Sequence, residues 1–290
     1  MKIEVLHPSA CQLGESPLWH DERMSCFWVD IEERSIYEYN WSQKKVERYQ
    51  LKQRVSLIVQ GNGNDLIVGL QGGIGRFDLA TRKLSWVTDL GIDWINYRCN
   101  DGGCDNRGRL WIGTMDLNHK KEAGTLYCVD INKEVKKKIG NVSISNGLVW
   151  SLDNKHLYYT DSVTREILSY SYEEKTGEIF FEKVVVSIPE QMGFPDGMTI
   201  DTKGMLWVAL WGGGGVGRFD VSSGKMIAFI EIPAPNVSSC SFVGKQLDSL
   251  LITTARQDMS KEDLLKYPQS GHVFIMKPGV KGVPVFHCGL

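Results

Sequence analysis

The chain has little helix signal, no long apolar run and no excess of charge, and each absence removes a class of protein. Its 290 residues carry 33 Lys and Arg against 35 Asp and Glu, a formal net charge of -2. That balance leaves no electrostatic footprint for nucleic acid or for an anionic membrane. No stretch approaches the ~18 uninterrupted apolar residues of a membrane span. Met1 to Leu18 has no basic segment followed by an apolar one, so no secretory signal is expected. The seven cysteines are odd in number and form no Cys-x-x-Cys pair. They read as free, buried thiols in a reducing compartment, and the expected location is cytoplasmic. The six histidines are scattered, without the spacing of metal ligands. Hydrophobic residues still make up 42%, enough for a sizeable core.

What fills the chain instead is a repeat. Phe194-Pro195-Asp196-Gly197-Met198-Thr199-Ile200 places apolar residues at period two, turns at Asp201-Thr202-Lys203-Gly204, and re-enters a strand at Leu206-Trp207-Val208. The same phrase runs from Glu15 into Phe27-Trp28-Val29, from Asn100 into Leu110-Trp111-Ile112, and from Asn146 into Leu157-Tyr158-Tyr159. Val55 to Gly69 and Ser239 to Thr254 complete six strand pairs. Third strands also recur: Gly73-Ile74-Gly75-Arg76-Phe77-Asp78 returns as Gly215-Val216-Gly217-Arg218-Phe219-Asp220, with weaker copies at Arg34, Gly124, Arg165 and Gly271. A spacing of roughly 40 to 55 residues is that of a four-stranded propeller blade.

The expected fold is therefore all-β: one domain over residues 1–290, a six-bladed β-propeller of four-stranded antiparallel blades. Fourth strands are expected at Val46–Leu51, Leu84–Thr88, Val135–Ile139, Lys183–Val186, Met226–Ile230 and Pro284–Cys288. Lys2 to Leu6 is expected to pair in the last blade and close the ring, because an open propeller would expose sheet edges. One helix is expected from Ser260 to Tyr267, with a capping-box spacing and a stop at Pro268. Gly212 to Gly217 is glycine-rich but leads into a strand, so it reads as a turn and not a phosphate loop. The basic run Lys133 to Lys138 reads as a solvated hairpin, and Trp19, Trp150 and Trp207 as packing between blades.

In a propeller the first strand of every blade lines the axis. The residues at its start are Glu15, Val55, Asn100, Asn146, Asp196 and Ser239. Carboxylates brought this close repel unless a cation lies between them. Oxygen donors without sulfur or imidazole favour a hard or borderline divalent ion, Ca²⁺, Mg²⁺, Mn²⁺ or Zn²⁺.

The blocks Gly14-Glu15-Ser16-Pro17-Leu18-Trp19, Arg98-Cys99-Asn100-Asp101-Gly102, Gly113-Thr114-Met115, Ser145-Asn146-Gly147-Leu148, Pro195-Asp196-Gly197-Met198 and Thr253-Thr254-Ala255 resemble, in order, the senescence-marker-protein/gluconolactonase/regucalcin family. That family consists of six-bladed propellers that hydrolyse sugar lactones with one catalytic divalent metal. The resemblance implies that Glu15, Asn146 and Asp196 hold the metal and that Asp196 is the catalytic acid/base. It implies that Arg98 and Asn100 contact the substrate, a small sugar lactone. Some members carry an acidic contact shortly after Gly-Thr-Met; Asn118 is its nearest counterpart here, a change that bears on specificity. A monomer is expected, with no nucleic-acid or membrane partner. The chemistry is coherent, since a lactone carbonyl gains negative charge as water attacks and a cation with Arg98 nearby would stabilise it. Three other functions fit the same fold: a protein-binding scaffold, a calcium-binding regulator without turnover, and a phosphotriesterase or aryl esterase.

Overall fold

The computed structural model describes residues 2–290 as six four-stranded antiparallel sheets arranged around an axis. Blade I comprises Gly14–His20, Ser25–Asp30, Ser35–Asn40 and Lys45–Gln50, and blade II comprises Val55–Gln60, Asp65–Leu70, Gly73–Asp78 and Lys83–Thr88. Blade III runs Tyr97–Cys104, Leu110–Asp116, Gly124–Val129, Val135–Val142; blade IV runs Ser145–Trp150, His156–Asp161, Glu166–Glu173, Glu178–Ser187. Blade V is Phe194–Ile200, Leu206–Trp211, Gly215–Asp220 and Lys225–Glu231. Blade VI takes Val237–Val243, Ser249–Thr254 and Val273–Met276 from the end of the chain, and Ile3–His7 from its beginning as the outer strand. That pairing closes the ring as expected. Each first strand contacts the first strands of both neighbouring blades, so blades III and VI face each other across the axis.

One fourth strand is corrected. Pro284–Cys288 is not a strand, because the edge of blade VI is already taken by Ile3–His7. Residues 283–290 instead cross the end of the ring. Gly282 bridges to Asp201 of blade V, Cys288 N–H donates to Gln60 O at 2.7 Å, and Gly289 N–H donates to Gly108 O at 2.8 Å. The helix forms at Lys261–Lys266, with Ser260 and Asp263 making a reciprocal capping box. No helix among the described residues is long and apolar enough to cross a membrane.

The core lies between blades. One buried cluster joins Phe27, Val29 and Ile36 of blade I to Val55, Ile58 and Leu66 of blade II, and comparable clusters fill each of the remaining junctions. Trp19, Trp150 and Trp207 are buried in these clusters, so they pack the blades and offer no platform for a sugar. The Asp-x-x-Gly turns also earn their recurrence physically. Asp105 accepts from Trp111 Nε1 at 2.8 Å and from Arg109 Nε at 2.6 Å, while Asp201 accepts from Trp207 Nε1 at 3.0 Å and Arg218 Nε at 2.8 Å. Each such aspartate ties a turn to the indole of the following strand, a charge-assisted bond in a dry setting.

All six first strands break register at the same level, between Glu15 and Leu18, Val55 and Leu57, Cys99 and Gly102, Asn146 and Leu148, Pro195 and Met198, and Val237 and Ser239. Bulges re-aim side chains and break the ladder where they occur. Here they turn the polar side chains of four blades, Glu15, Asn100, Asn146 and Asp196, into the channel. The glycines that follow the polar residues are required by close approach: a Cβ on Gly147 would meet Asp196 O at 2.5 Å, and one on Gly197 would collide with the Ser239 side chain.

Candidate metal and substrate site

Four first strands deliver polar side chains to one cavity of about 250 Å³, which Glu15, Arg98, Asn100, Asn146 and Asp196 line together. Glu15 and Asn146 are positioned by the same device in different blades. Asp30, at the end of the second strand of blade I, accepts from Gln12 N–H at 2.8 Å and Leu13 N–H at 3.1 Å. Asp161, its counterpart in blade IV, accepts from Ser143 N–H at 2.8 Å and Ile144 N–H at 3.0 Å. Each carboxylate therefore fixes the segment that enters the strand just before the polar residue. After Glu15 the backbone bends through Ser16 at φ 51, left-handed and unusual for a residue with a side chain. Ser16 Oγ accepts from Ile58 N–H at 2.9 Å and so ties that bend to blade II.

A hydrogen-bond relay then crosses three blades. Arg98 Nη1 donates to Asn100 Oδ1 at 2.5 Å, and Asn100 Nδ2 donates to Asn146 Oδ1 at 2.9 Å and to Ser145 O at 2.8 Å. Asn146 Nδ2 donates to Ser162 Oγ at 2.7 Å, and Ser162 Oγ donates to Pro195 O at 2.6 Å. The relay ends beside Asp196, whose Oδ1 is buried and has no hydrogen-bond partner among the described residues. The carboxamide of Asn146 is thereby locked with its nitrogen towards Ser162. Its oxygen keeps a second lone pair for another ligand.

The electrostatics are those of an uncompensated acidic centre. Burial pushes the Glu15 carboxyl up to about 8, with the Asp101 carboxylate adding to it and Arg98 opposing. Burial also holds Asp196 well above the usual carboxylate range, and Glu15 and Asp101 raise it further. Arg98 is itself buried, and desolvation pulls its guanidinium below the usual value. Among the described residues no Asp or Glu forms an ion pair with this buried guanidinium. Two carboxylates that neutralise by protonation when dry, flanked by carboxamide oxygen, form an oxygen-only donor set suited to a divalent cation. Among the described residues no group of three His, Cys, Asp or Glu side chains gathers for a metal; the set here relies on Asn146 as its third member.

Not every expected residue reaches the cavity. Asn118 is exposed, with its N–H bonded to Asp116 Oδ1 at 2.8 Å, and its neighbour His119 lines the cavity instead. Val55 is fully buried between blades I and II. By register the sixth position belongs to Val237, and Ser239 lies beyond the bulge, facing the opposite end of the channel. Sequence reasoning also missed residues. Asp101 sits in the bulge beside Asn100, and burial pushes its carboxyl up to about 6. His119, Gln257 and Asp258 come from the loops after the second strands of blades III and VI. Those loops emerge at the same end of the ring as the starts of the first strands, a topological signal that could have named them.

Comparison with known proteins identifies the family and matches the fold. Residues 13–256 match the family model described as the SMP-30/Gluconolactonase/LRE-like region. Human regucalcin is 33% identical over 289 residues, 98% of this chain and 97% of that one. YvrE of Bacillus subtilis, provisionally named a sugar lactone lactonase, is 34% identical over 262 residues, 90% of each chain. The crystal structure of a regucalcin from Agrobacterium tumefaciens, described as a calcium-binding protein, superposes with a TM-score of 0.92 at 27% identity, covering 98% of this chain and 95% of that one. The chain belongs to the SMP-30/gluconolactonase/LRE-like family.

Proposed function

We propose that the protein is a metal-dependent hydrolase that opens a sugar lactone to the corresponding hydroxy acid. The observation that carries this reading is the buried, unpartnered Asp196 Oδ1, which lines one cavity together with Glu15 and Asn146. Glu15, Asn146 and Asp196 would hold one divalent cation, and calcium binding by the Agrobacterium relative supports a hard ion. Such an ion, when bound, polarises an ester carbonyl and makes water easier to deprotonate.

The chain's own residues divide the remaining work. Arg98, buried and free of carboxylate partners, places positive charge beside the cavity where a carbonyl oxygen gains negative charge. Asn100 holds Arg98 on one side and Asn146 on the other, so it fixes the distance between substrate contact and cation ligand. Asp196 takes the proton of the attacking water and returns it to the departing ring oxygen. The walls formed by Met115, Ile144, Phe194 and Trp211 exclude bulk water and strengthen these charges.

The name of the Bacillus relative supports the lactonase reading over a protein-binding scaffold, whose axis has no use for desolvated carboxylates. The test is metal analysis of purified protein followed by a pH-indicator screen of aldonolactones, because opening releases a proton. Metal-dependent acid release above the spontaneous rate is expected. Bound metal without turnover on any lactone would favour a calcium-binding regulator, and turnover confined to aryl esters or phosphotriesters would reassign the substrate.

A further inference from the structure

Among the residues that line the cavity, only two carry a buried polar atom with no hydrogen-bond partner: Asp196 and Gln257. Asp196 belongs to the cation-binding group. Gln257 does not, and it stands in blade VI, across the axis from Arg98 in blade III. Its backbone is fixed on both sides. Gln257 N–H donates to Gln12 O at 2.8 Å, and Asn236 Nδ2 donates to Gln257 O at 3.1 Å. The side-chain Oε1 is buried and unsatisfied, a state that costs stability unless a ligand meets it.

We infer that Gln257 is a specificity-determining residue that hydrogen-bonds a hydroxyl group at the end of the substrate remote from the reacting carbonyl. This rests on the lactonase reading above. A carboxamide offers an acceptor and two donors, and a hydroxyl answers either. The remaining wall between Arg98 and Gln257 is largely apolar, including Leu13, Ile144, Phe194 and Trp211. Such a wall accepts the carbon face of a ring, and among the polar lining residues outside the cation-binding group only Gln257 carries a buried atom left without a partner. The substrate class is thus a hydroxylated lactone, and an unsubstituted ring of the same size leaves Gln257 unpaired. A site built to bond a hydroxyl discriminates against the analogue that lacks it, because its own buried group then loses its partner.

The experiment compares glucono-δ-lactone with δ-valerolactone in the metal-loaded wild type and in Gln257→Met. In the variant the ratio of kcat/KM for the hydroxylated over the unsubstituted lactone should fall about ten-fold, chiefly through KM. Melting of Gln257→Met should be no lower than wild type, since an unsatisfied buried atom is removed; a structural glutamine would show a clear drop. An unchanged ratio, or an equal loss on both lactones with a lowered melting temperature, overturns the assignment while the wild type still turns over. A wild type that opens neither lactone overturns the lactonase reading and this inference with it.

Discussion

The two ends of the central channel are built by the same six strands, yet among the described residues only one end, the unfinished one, presents a buried carboxylate oxygen without a hydrogen-bond partner. At the first end, Glu15, Asn100, Asn146 and Asp196 meet in a cavity of about 250 Å³. One or two residues further along the same strands, Ser16, Asp101, Leu148 and Met198 line a larger hollow of about 440 Å³. Size alone would pick the wrong end. The larger hollow is walled mainly by Leu57, Ile58, Leu148, Met198 and Ile200 and is covered by residues 283–286 of the C-terminal segment. The bulges account for the contrast. They interrupt the two-residue alternation of each first strand and send adjacent side chains towards opposite ends.

The sharpest way to break this comparison is Asp196→Asn. A carboxamide oxygen still coordinates but cannot accept a proton. Cation binding should persist while kcat falls by about 10²–10⁴. The matching change at the other end, Ser239→Ala, should alter turnover by no more than about two-fold, as surface-remote changes usually do. Near-wild-type turnover in metal-loaded Asp196→Asn would remove that carboxylate from proton transfer.

Arg98→Ala should come next in size. Loss of a hydrogen bond from a charged donor corresponds to about 10- to 100-fold in kcat/KM, with metal content unchanged. If the metal is lost with the arginine, its role is to hold the Asn100–Asn146 relay.

A pH titration of stability reads the buried carboxylates without mutation, with Asp101, raised to about 6, adding to the same trend as Glu15. In the metal-free protein Glu15 titrates near about 8 against an ordinary 4.5. Between those values the folded chain keeps a proton that the unfolded chain has released. A raised folded value therefore gives stability that is present below the unfolded value and lost as pH rises through the folded one. Melting temperature of chelator-treated protein should fall from about pH 5 to about pH 8, and added cation should oppose the fall by binding the deprotonated ligands. A metal-free protein that grows steadily more stable across that window would refute the electrostatic picture.

The smallest effect on activity is expected at the covered end. Deleting 288–290 removes Cys288 and Leu290, which are buried against Leu57, Val59 and Leu110. It should lower the melting temperature by several degrees, roughly as a lost buried cluster does, and change kcat/KM by less than about two-fold. A large loss of turnover would mean that the two ends are coupled.

Much of this was legible in the sequence because alternation and turn chemistry are local. The third strands at Gly73–Asp78 and Gly215–Asp220, the capped helix after Ser260 and the closing role of the N-terminal strand all follow from nearby residues and from the need to pair an edge. Pro284–Cys288 was misread for a non-local reason. Val283-Pro284-Val285-Phe286 has the composition of a strand, but the edge it would occupy is filled by residues nearly the whole chain away. Glu15, Asn100, Asn146 and Asp196 were legible as neighbours at one end of the axis because one position repeats from blade to blade, and the family resemblance singled out Glu15, Asn146 and Asp196 among them. Asp101 was not, because a bulge sets two residues, Asn100 and Asp101, against one on the partner strand and so shifts the period that sequence patterns rely on. His119 and Gln257 sit on loops, where no period exists at all.

The claim on which the rest depends is that the unfinished end holds a divalent cation. Calorimetric titration of Ca²⁺, Mg²⁺, Mn²⁺ and Zn²⁺ into chelator-treated wild type and Glu15→Gln addresses it directly, with melting temperature followed in parallel. One ion per chain should bind the wild type and raise its melting temperature by mass action, and both the affinity and the rise should be greatly reduced in Glu15→Gln. Equal affinity in the two proteins, or no binding to the wild type, would contradict the assignment of Glu15, Asn146 and Asp196.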